Sequence, residues 1–258
     1  MSDSASATAF DRLRQAAVLI LAIGQLGASY VLQFSDGFGE PIGVRSREAQ
    51  TALTPAGWAF SIWGPIFLAL TVYAIAQARP SQGADRLQRR IGWLAAGAFL
   101  TCGGWVVVTQ GWGTDWRNLA VILALAAFAT SAFLIARHEA KGEGAWRWVL
   151  NVLPFGLLAG WSTAASFANL TQAAFPLSYE AAPNLAVLVF AAAAGSIGLI
   201  AARGAFVYAV PIVWAFTAIW AADREPSVAL ASAVAAGAIA AIAVALKLLW
   251  PEKKTPRS

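Results

Sequence analysis

Eight long apolar runs, 16–34, 58–78, 91–110, 118–136, 148–170, 184–202, 205–222 and 228–250, constrain this chain more than any other feature. Each holds about 18–23 residues, near the ~20 that an α-helix needs to cross the hydrocarbon of a bilayer. Of the 258 residues, 59% are hydrophobic and 12% charged, and the mean hydropathy is +0.63. Soluble domains carry roughly a quarter charged residues. The chain therefore reads as all-α: a polytopic membrane helix bundle of about eight transmembrane helices. The opening fifteen residues are polar, and no small-residue cleavage site follows the first run, so that run is expected to be a retained helix.

The connecting segments fix an orientation. With eight spans, the tails and the even-numbered loops share one side, which carries Arg12 and Arg14; Arg79, Arg86, Arg89 and Arg90; Arg137, Lys141 and Arg147; Arg203; and Lys247, Lys253, Lys254 and Arg257. That makes fourteen of the eighteen lysines and arginines; Arg45, Arg47, Arg117 and Arg224 make up the other four. Such a bias places both termini in the cytoplasm, and a bacterial inner membrane is the expected location. It also accounts for the pI near 9.8 without nucleic acid as a partner. The longest connection, 35–54, holds Gly37, Gly39, Pro41 and Gly43 and is expected to cover something.

Charge is missing from the middle of every span. Lys247 lies one turn from a helix end, where it can snorkel. Ion-coupled transporters and proton pumps use intramembrane ionisable groups, so neither class is favoured. A retinal Schiff base would need a mid-helix lysine. His138, the only histidine, reads as a solvated loop residue at a helix end, and Cys102 has no partner for a disulfide. No metal cluster, nucleophile–base pair or phosphate loop is present, so no catalytic residue is named and no cofactor is required.

Aromatic residues remain, twelve of them tryptophan. Trp93, Trp112, Trp116, Trp146, Trp148, Trp220 and Trp250 fall near predicted helix ends, as an interfacial belt requires. Trp63, Trp105, Trp161 and Trp214 do not. The stretch 55–78 starts with a proline turn and Trp58 at one surface, and Trp63 follows roughly 7 Å deeper. Trp105 sits roughly 10 Å below the same face on the third helix, aligned with Thr109 and Trp112. On the fifth helix, Trp161, Ala165 and Asn169 share one face, beside Ser162 and Ser166. Three helices thus direct large rings and weakly polar neighbours toward one half of the bundle, which suits a flat hydrophobic ligand. Core filling is the competing reading for any single ring.

Pro55-Ala56-Gly57-Trp58-Ala59-Phe60-Ser61-Ile62-Trp63-Gly64 resembles the second-helix start of the translocator protein family, also called tryptophan-rich sensory proteins. Ile62-Trp63-Gly64 matches directly and Trp58 fits with a one-residue offset. Gly103-Gly104-Trp105 is similar to the family's third helix. Pro154-Phe155, Trp161 and Asn169 resemble its fifth helix, including the eight-residue gap from tryptophan to asparagine. The resemblance covers 16–172 as a five-helix core. The three added helices, 184–250, look like those of the longer tryptophan-rich relatives, all within a single membrane domain, 1–258. Where the family often carries asparagine, three residues before the third-helix tryptophan, this chain has Cys102.

The resemblance implies a membrane sensor or regulator that binds porphyrin-like (tetrapyrrole) ligands or other flat hydrophobic molecules such as sterols. Trp63 and Trp161 match the tryptophans that line the family's pocket. With the residue reading beside it, the expected ligand-binding set is Trp58, Trp63, Cys102, Trp105, Thr109, Trp161, Ala165 and Asn169. Membrane lipid is the expected surroundings, and a homodimer is open beside a monomer. A carrier of a hydrophobic metabolite and a light-dependent porphyrin-degrading enzyme are the alternatives. Gly195, Gly198 and Gly237 are expected to let the added helices pack closely, on the core or on a second subunit.

Overall fold

Apolar periods of helical length give helices and nothing else in the computed structural model, which describes residues 6–31, 38–139 and 144–250. The end of the first predicted span, Gly37, Lys141, Lys253, Lys254 and Arg257 lie outside the described residues. Among the described residues there is no strand, and eight long helices follow the eight apolar runs. They are α1 (Ala9–Tyr30), α3 (Trp63–Gln77), α4 (Arg86–Trp112), α5 (Trp116–Glu139), α6 (Ala145–Ala174), α7 (Ala181–Ala201), α8 (Phe206–Ala222) and α9 (Pro226–Leu249). A short helix not expected from the sequence, α2 (Ile42–Glu48), lies in the first connection, and a 3-10 turn, Gly57–Ile62, leads into α3.

Six of these helices, the 3-10 turn counted with α3, are long and apolar enough to cross a membrane. The two shortfalls have physical reasons. Helix α8 has 17 residues, roughly 25 Å of rise, and α1 carries Gln15 and Gln25 along its apolar part. Both nonetheless pack into the same bundle, α1 on α4 and α8 on α6 and α9. The protein is an integral multi-pass membrane protein.

Helix starts follow ordinary capping chemistry. The Thr8 hydroxyl accepts from the Asp11 N–H at 3.2 Å, while the Asp11 carboxylate accepts from the Thr8 N–H at 3.0 Å, a reciprocal box that opens α1. Asp85 caps α4 by accepting from the Gln88 N–H at 3.0 Å. Glu225 caps α9, with Pro226 at its first position.

The best-buried span is α6, packed against α3, α5, α7 and α8. Its Gly160 allows the closest approach: a Cβ there would stand 2.2 Å from the Tyr208 carbonyl oxygen of α8. Prolines lie inside both helices, Pro154 in α6 and Pro211 in α8, as the sequence predicts, whereas Pro65 falls in the first turn of α3, where a missing N–H costs nothing. Phe99, Phe133, Phe155 and Phe216 fill the space between the helices and are essentially inaccessible. The glycines of the added helices divide. Cβ atoms at Gly195 and Gly198 would meet Ile239 and Tyr208, but Gly237 faces open space and does not pack on the core. Of the seven tryptophans expected at an interface, six are exposed outward, and Trp148 is half-buried against the core.

Candidate functional site

Residues 38–56 close one end of the bundle, held by hydrogen bonds to three helices and to the turn between α8 and α9. Gly39 takes a φ of +62° and lies so close to α4 that a Cβ would be 2.1 Å from the Gln110 carbonyl oxygen, so only glycine fits. That carbonyl accepts from the Glu40 N–H at 3.1 Å and from Arg45 Nε and Nη2, both at 3.2 Å. Thr51 Oγ1 lies 2.8 Å from Thr171 Oγ1 of α6, and the Ala56 N–H donates to the Ala218 carbonyl of α8 at 3.0 Å. Arg224, in the turn between α8 and α9, donates through Nε to the Thr54 carbonyl at 3.1 Å. Residues 38–56 are therefore an ordered roof.

Under the roof lies a cavity of about 750 Å³, with a narrow inner chamber of about 50 Å³ behind it. Trp63, Trp105 and Phe60 line both, together with Ile42, Ser46 and Pro55. The Trp63 ring stacks on Phe67 at 5.0 Å and on Trp105 at 6.5 Å between centroids, and meets Trp161 edge-on at 6.1 Å. Trp105 and Trp161 are 8% and 4% exposed, so they are fixed walls, whereas Trp63 is half-buried and presents its ring to the cavity. The three rings that the sequence directs toward one half of the bundle lie in contact with one another around Trp63.

The weakly polar residues hold that cluster rigid. Trp105 Nε1 donates to Asn169 Oδ1 at 3.1 Å, and Asn169 Nδ2 donates to the Ala165 carbonyl at 2.8 Å. The Thr109 hydroxyl donates to the Trp105 carbonyl at 2.6 Å and accepts from Asn118 Nδ2. Ser162 and Ser166 donate back to carbonyls four residues earlier. The Asn169 amide thus lines the inner chamber with both ends engaged.

Of the eight expected site residues, Cys102 lines the outer cavity, Thr109, Trp161, Ala165 and Asn169 line the inner chamber, and Trp63 and Trp105 line both. Trp58 lines neither. It is 45% exposed and packs edge-on against Trp214 at 4.7 Å. Trp214, deep in α8, donates from Nε1 to the Ala59 carbonyl at 2.9 Å and so clamps the 3-10 turn from outside the cavity. Sequence reasoning missed Ser29, Ser46, Gln50 and the pair Arg47 and Arg224, all of which line the outer cavity. The signal for the two arginines was their position among the four cations of the sparser side.

No carboxylate lines either chamber among the described residues, and no group of acidic, histidine and cysteine residues there could hold a metal. His138 is exposed in the last turn of α5, roughly 30 Å of helical rise from the Trp116 end, and faces no chamber. What the site offers is aromatic surface, hydroxyls and two guanidinium groups.

Fold and site together define a multi-pass helical membrane protein with an aromatic chamber roofed by its first connection. The family model described as TSPO-like protein matches residues 15–246, and the chain belongs to that family. The match runs through the three added helices as well as the five expected to resemble the short form. No curated protein and no solved structure matches the chain.

Proposed function

We propose that this protein is a ligand-binding membrane sensor or regulator whose outer chamber takes a flat hydrophobic ligand, with tetrapyrroles first and sterol-like molecules second. The observation that carries this reading is the 750 Å³ cavity walled by Trp63, Trp105, Phe60 and Phe67. Small-molecule sites are apolar concavities of about 300–1,000 Å³ with a few placed polar groups. A ring sliding in beside Trp63 would continue the stack that Trp63 already makes with Phe67 and Trp105.

Sensing is favoured over carriage by the packing beneath the chamber. Leu70, Tyr73, Phe99 and Phe155 are at most 1% exposed and fill the bundle between the chamber and its other end. Among the described residues that line the two chambers there is no acid–base pair for an enzyme to work with. The reading includes both termini in the cytoplasm of a bacterial inner membrane, from the fourteen-to-four division of positive residues. It treats 1–258 as one membrane domain surrounded by lipid, with a homodimer open beside a monomer.

Equilibrium titration of purified protein with porphyrins and sterols tests the proposal, read by tryptophan fluorescence quenching. An aromatic contact is worth ~0.5–1.5 kcal/mol beyond area burial, so Trp63→Leu should weaken porphyrin binding about 2- to 12-fold. Trp250→Ala, at the far end of α9, should leave it unchanged after correction for the lost emitter. Equal affinities in the two variants would reduce Trp63 to packing.

A further inference from the structure

The rim of the outer cavity carries two cations that the aromatic chemistry does not use. Arg47 comes from α2 and Arg224 from the turn between α8 and α9, and both line the same cavity. We infer that they form an anion-binding end to the chamber, so that its ligand is an amphipathic acid: a flat apolar body against Trp63 and one or more carboxylates at the mouth. This rests on the chamber being a ligand site, and it adds the chemical class of what enters.

Pairing among the neighbouring charges sets these two arginines apart. Arg45 donates to the Gln110 carbonyl and to Glu48, and Arg117 is paired with Asp115. Glu225 is engaged by Ser227 and by the Val228 N–H that it caps. Those carboxylates are therefore already committed. Asp223, next to Arg224 in the chain, lies outside the cavity lining. Arg224 spends only Nε, on the Thr54 carbonyl, and makes no other hydrogen bond or ion pair among the described residues; Arg47 makes none. The Nε bond anchors Arg224 to the roof and leaves its two terminal nitrogens, the pair that grips a carboxylate end-on, for something else.

The rest of the lining suits the same ligand. Among the described residues no carboxylate lines the cavity with the two cations, so their fields add there. The buried Ser29 hydroxyl lines the cavity and has no hydrogen-bond partner, which leaves one more donor for an anionic oxygen. Sterols and other neutral apolar molecules would leave all three groups unsatisfied. A ligand with an acidic edge would satisfy them and still bury its rings.

The experiment compares protoporphyrin IX with its dimethyl ester, which keeps the ring and removes the charge, in phosphatidylcholine nanodiscs. Within each variant the ester is the reference, so membrane partition and any loosening of the roof cancel. The unaltered protein should prefer the acid, Arg47→Gln should lose about threefold of that preference as an exposed pair would, and Arg47→Gln/Arg224→Gln should lose about tenfold in total. Ester affinity should stay constant throughout. Arg117→Gln, a charge on the same side but outside the cavity, should keep the full preference. An equal preference in the double variant and the unaltered protein overturns the inference while leaving the chamber as a ligand site. Loss of the preference only in phosphatidylglycerol discs assigns the arginines to a lipid headgroup and overturns the ligand-carboxylate assignment. If neither porphyrin binds, the tetrapyrrole reading fails, and 1-pyrenebutyrate against its methyl ester, judged by the same criterion, decides the anion end by itself.

Discussion

At the end of the bundle where the chain begins, Asp11, Arg14, Gln15, Gln77, Gln88 and Asn151 are at most 9% exposed, and each bonds to another of the group or to a backbone carbonyl. At the other end, Arg47, Arg224 and Ser29 face a cavity with bonding capacity to spare. Both ends are built from helix termini in one bundle, and both carry cations. They differ in pairing. Asp11 receives Arg14 at 2.8 Å and Arg89 at 2.7 Å, Arg14 reaches on to the Gly83 carbonyl, Arg147 meets Asp85 at 2.9 Å, and Arg90 meets Glu139. The closed end ties α1, α4, α5 and α6 together, and the open end leaves Arg47, the terminal nitrogens of Arg224 and the Ser29 hydroxyl to whatever enters. A membrane bundle gains little from apolar packing between helices, because lipid is as apolar as leucine.

The largest effect that would break this contrast is Asp11→Ala. It removes the carboxylate shared by Arg14 and Arg89 and leaves the Arg14 guanidinium buried with only the Gly83 carbonyl. The variant should lose more thermal stability than Gln88→Leu or any substitution at the open end, with porphyrin affinity retained in the fraction that stays folded. The same residue sets a pH dependence. Its hydrogen bond from Arg89, foremost, and the Thr8 N–H hold the Asp11 carboxyl well below the usual carboxylate range. A depressed folded value means that the contribution is fully present above the unfolded value of ~3.9 and is lost progressively as pH falls below it. Melting temperature followed from pH 7 to pH 3 should therefore drop below about pH 4, and Asp11→Asn should flatten that drop. A profile equally steep in Asp11→Asn would remove Asp11 as its origin.

A smaller effect is expected one layer deeper at the closed end. Gln88 accepts from the Tyr73 hydroxyl at 3.1 Å and donates to Asn151 Oδ1 at 2.7 Å. Gln88→Leu keeps the side-chain bulk and strands both partners, and each stranded buried group costs about 1–3 kcal/mol. Thermal unfolding in detergent should register that loss. Gln50→Leu, which changes a polar residue of the open end, should barely register. Comparable losses in the two would erase the difference between the ends.

The sequence made the helices legible because each apolar run has the length and composition of a helix whatever it packs on. It made the ring cluster legible because residue count along a helix measures depth. The short α2 was not legible: Ile42–Glu48 is seven residues with no apolar period, set among glycines. The closed end was not legible either. Arg89 and Asp11 are 78 positions apart, and as composition Arg89 reads only as one more basic residue on its side. Gly198 and Gly237 look alike in sequence, yet one meets Tyr208 and the other faces outward. Helices apolar on every side give no period that separates a lipid-facing stripe from a protein-facing one.

The smallest effect concerns Trp58, which sequence position alone put with Trp63. The two are five residues apart, Trp58 within the 3-10 turn and Trp63 just after it, but only Trp63 lines the cavity; Trp58 packs edge-on against Trp214 on the outside. If aromatic richness at the open end were enough, either ring would do. If the cavity is what binds, Trp58→Phe, which keeps a ring against Trp214, should leave porphyrin affinity within about twofold, less than one aromatic contact is worth. Trp63→Leu should fall outside that range. Trp58 is also half exposed where the roof meets α8, so its ring can report on the surface without reporting on the chamber. Titrating both variants beside the unaltered protein reads the difference directly. A loss in Trp58→Phe as large as in Trp63→Leu would move the ligand out of the chamber and onto the outer face of the 3-10 turn.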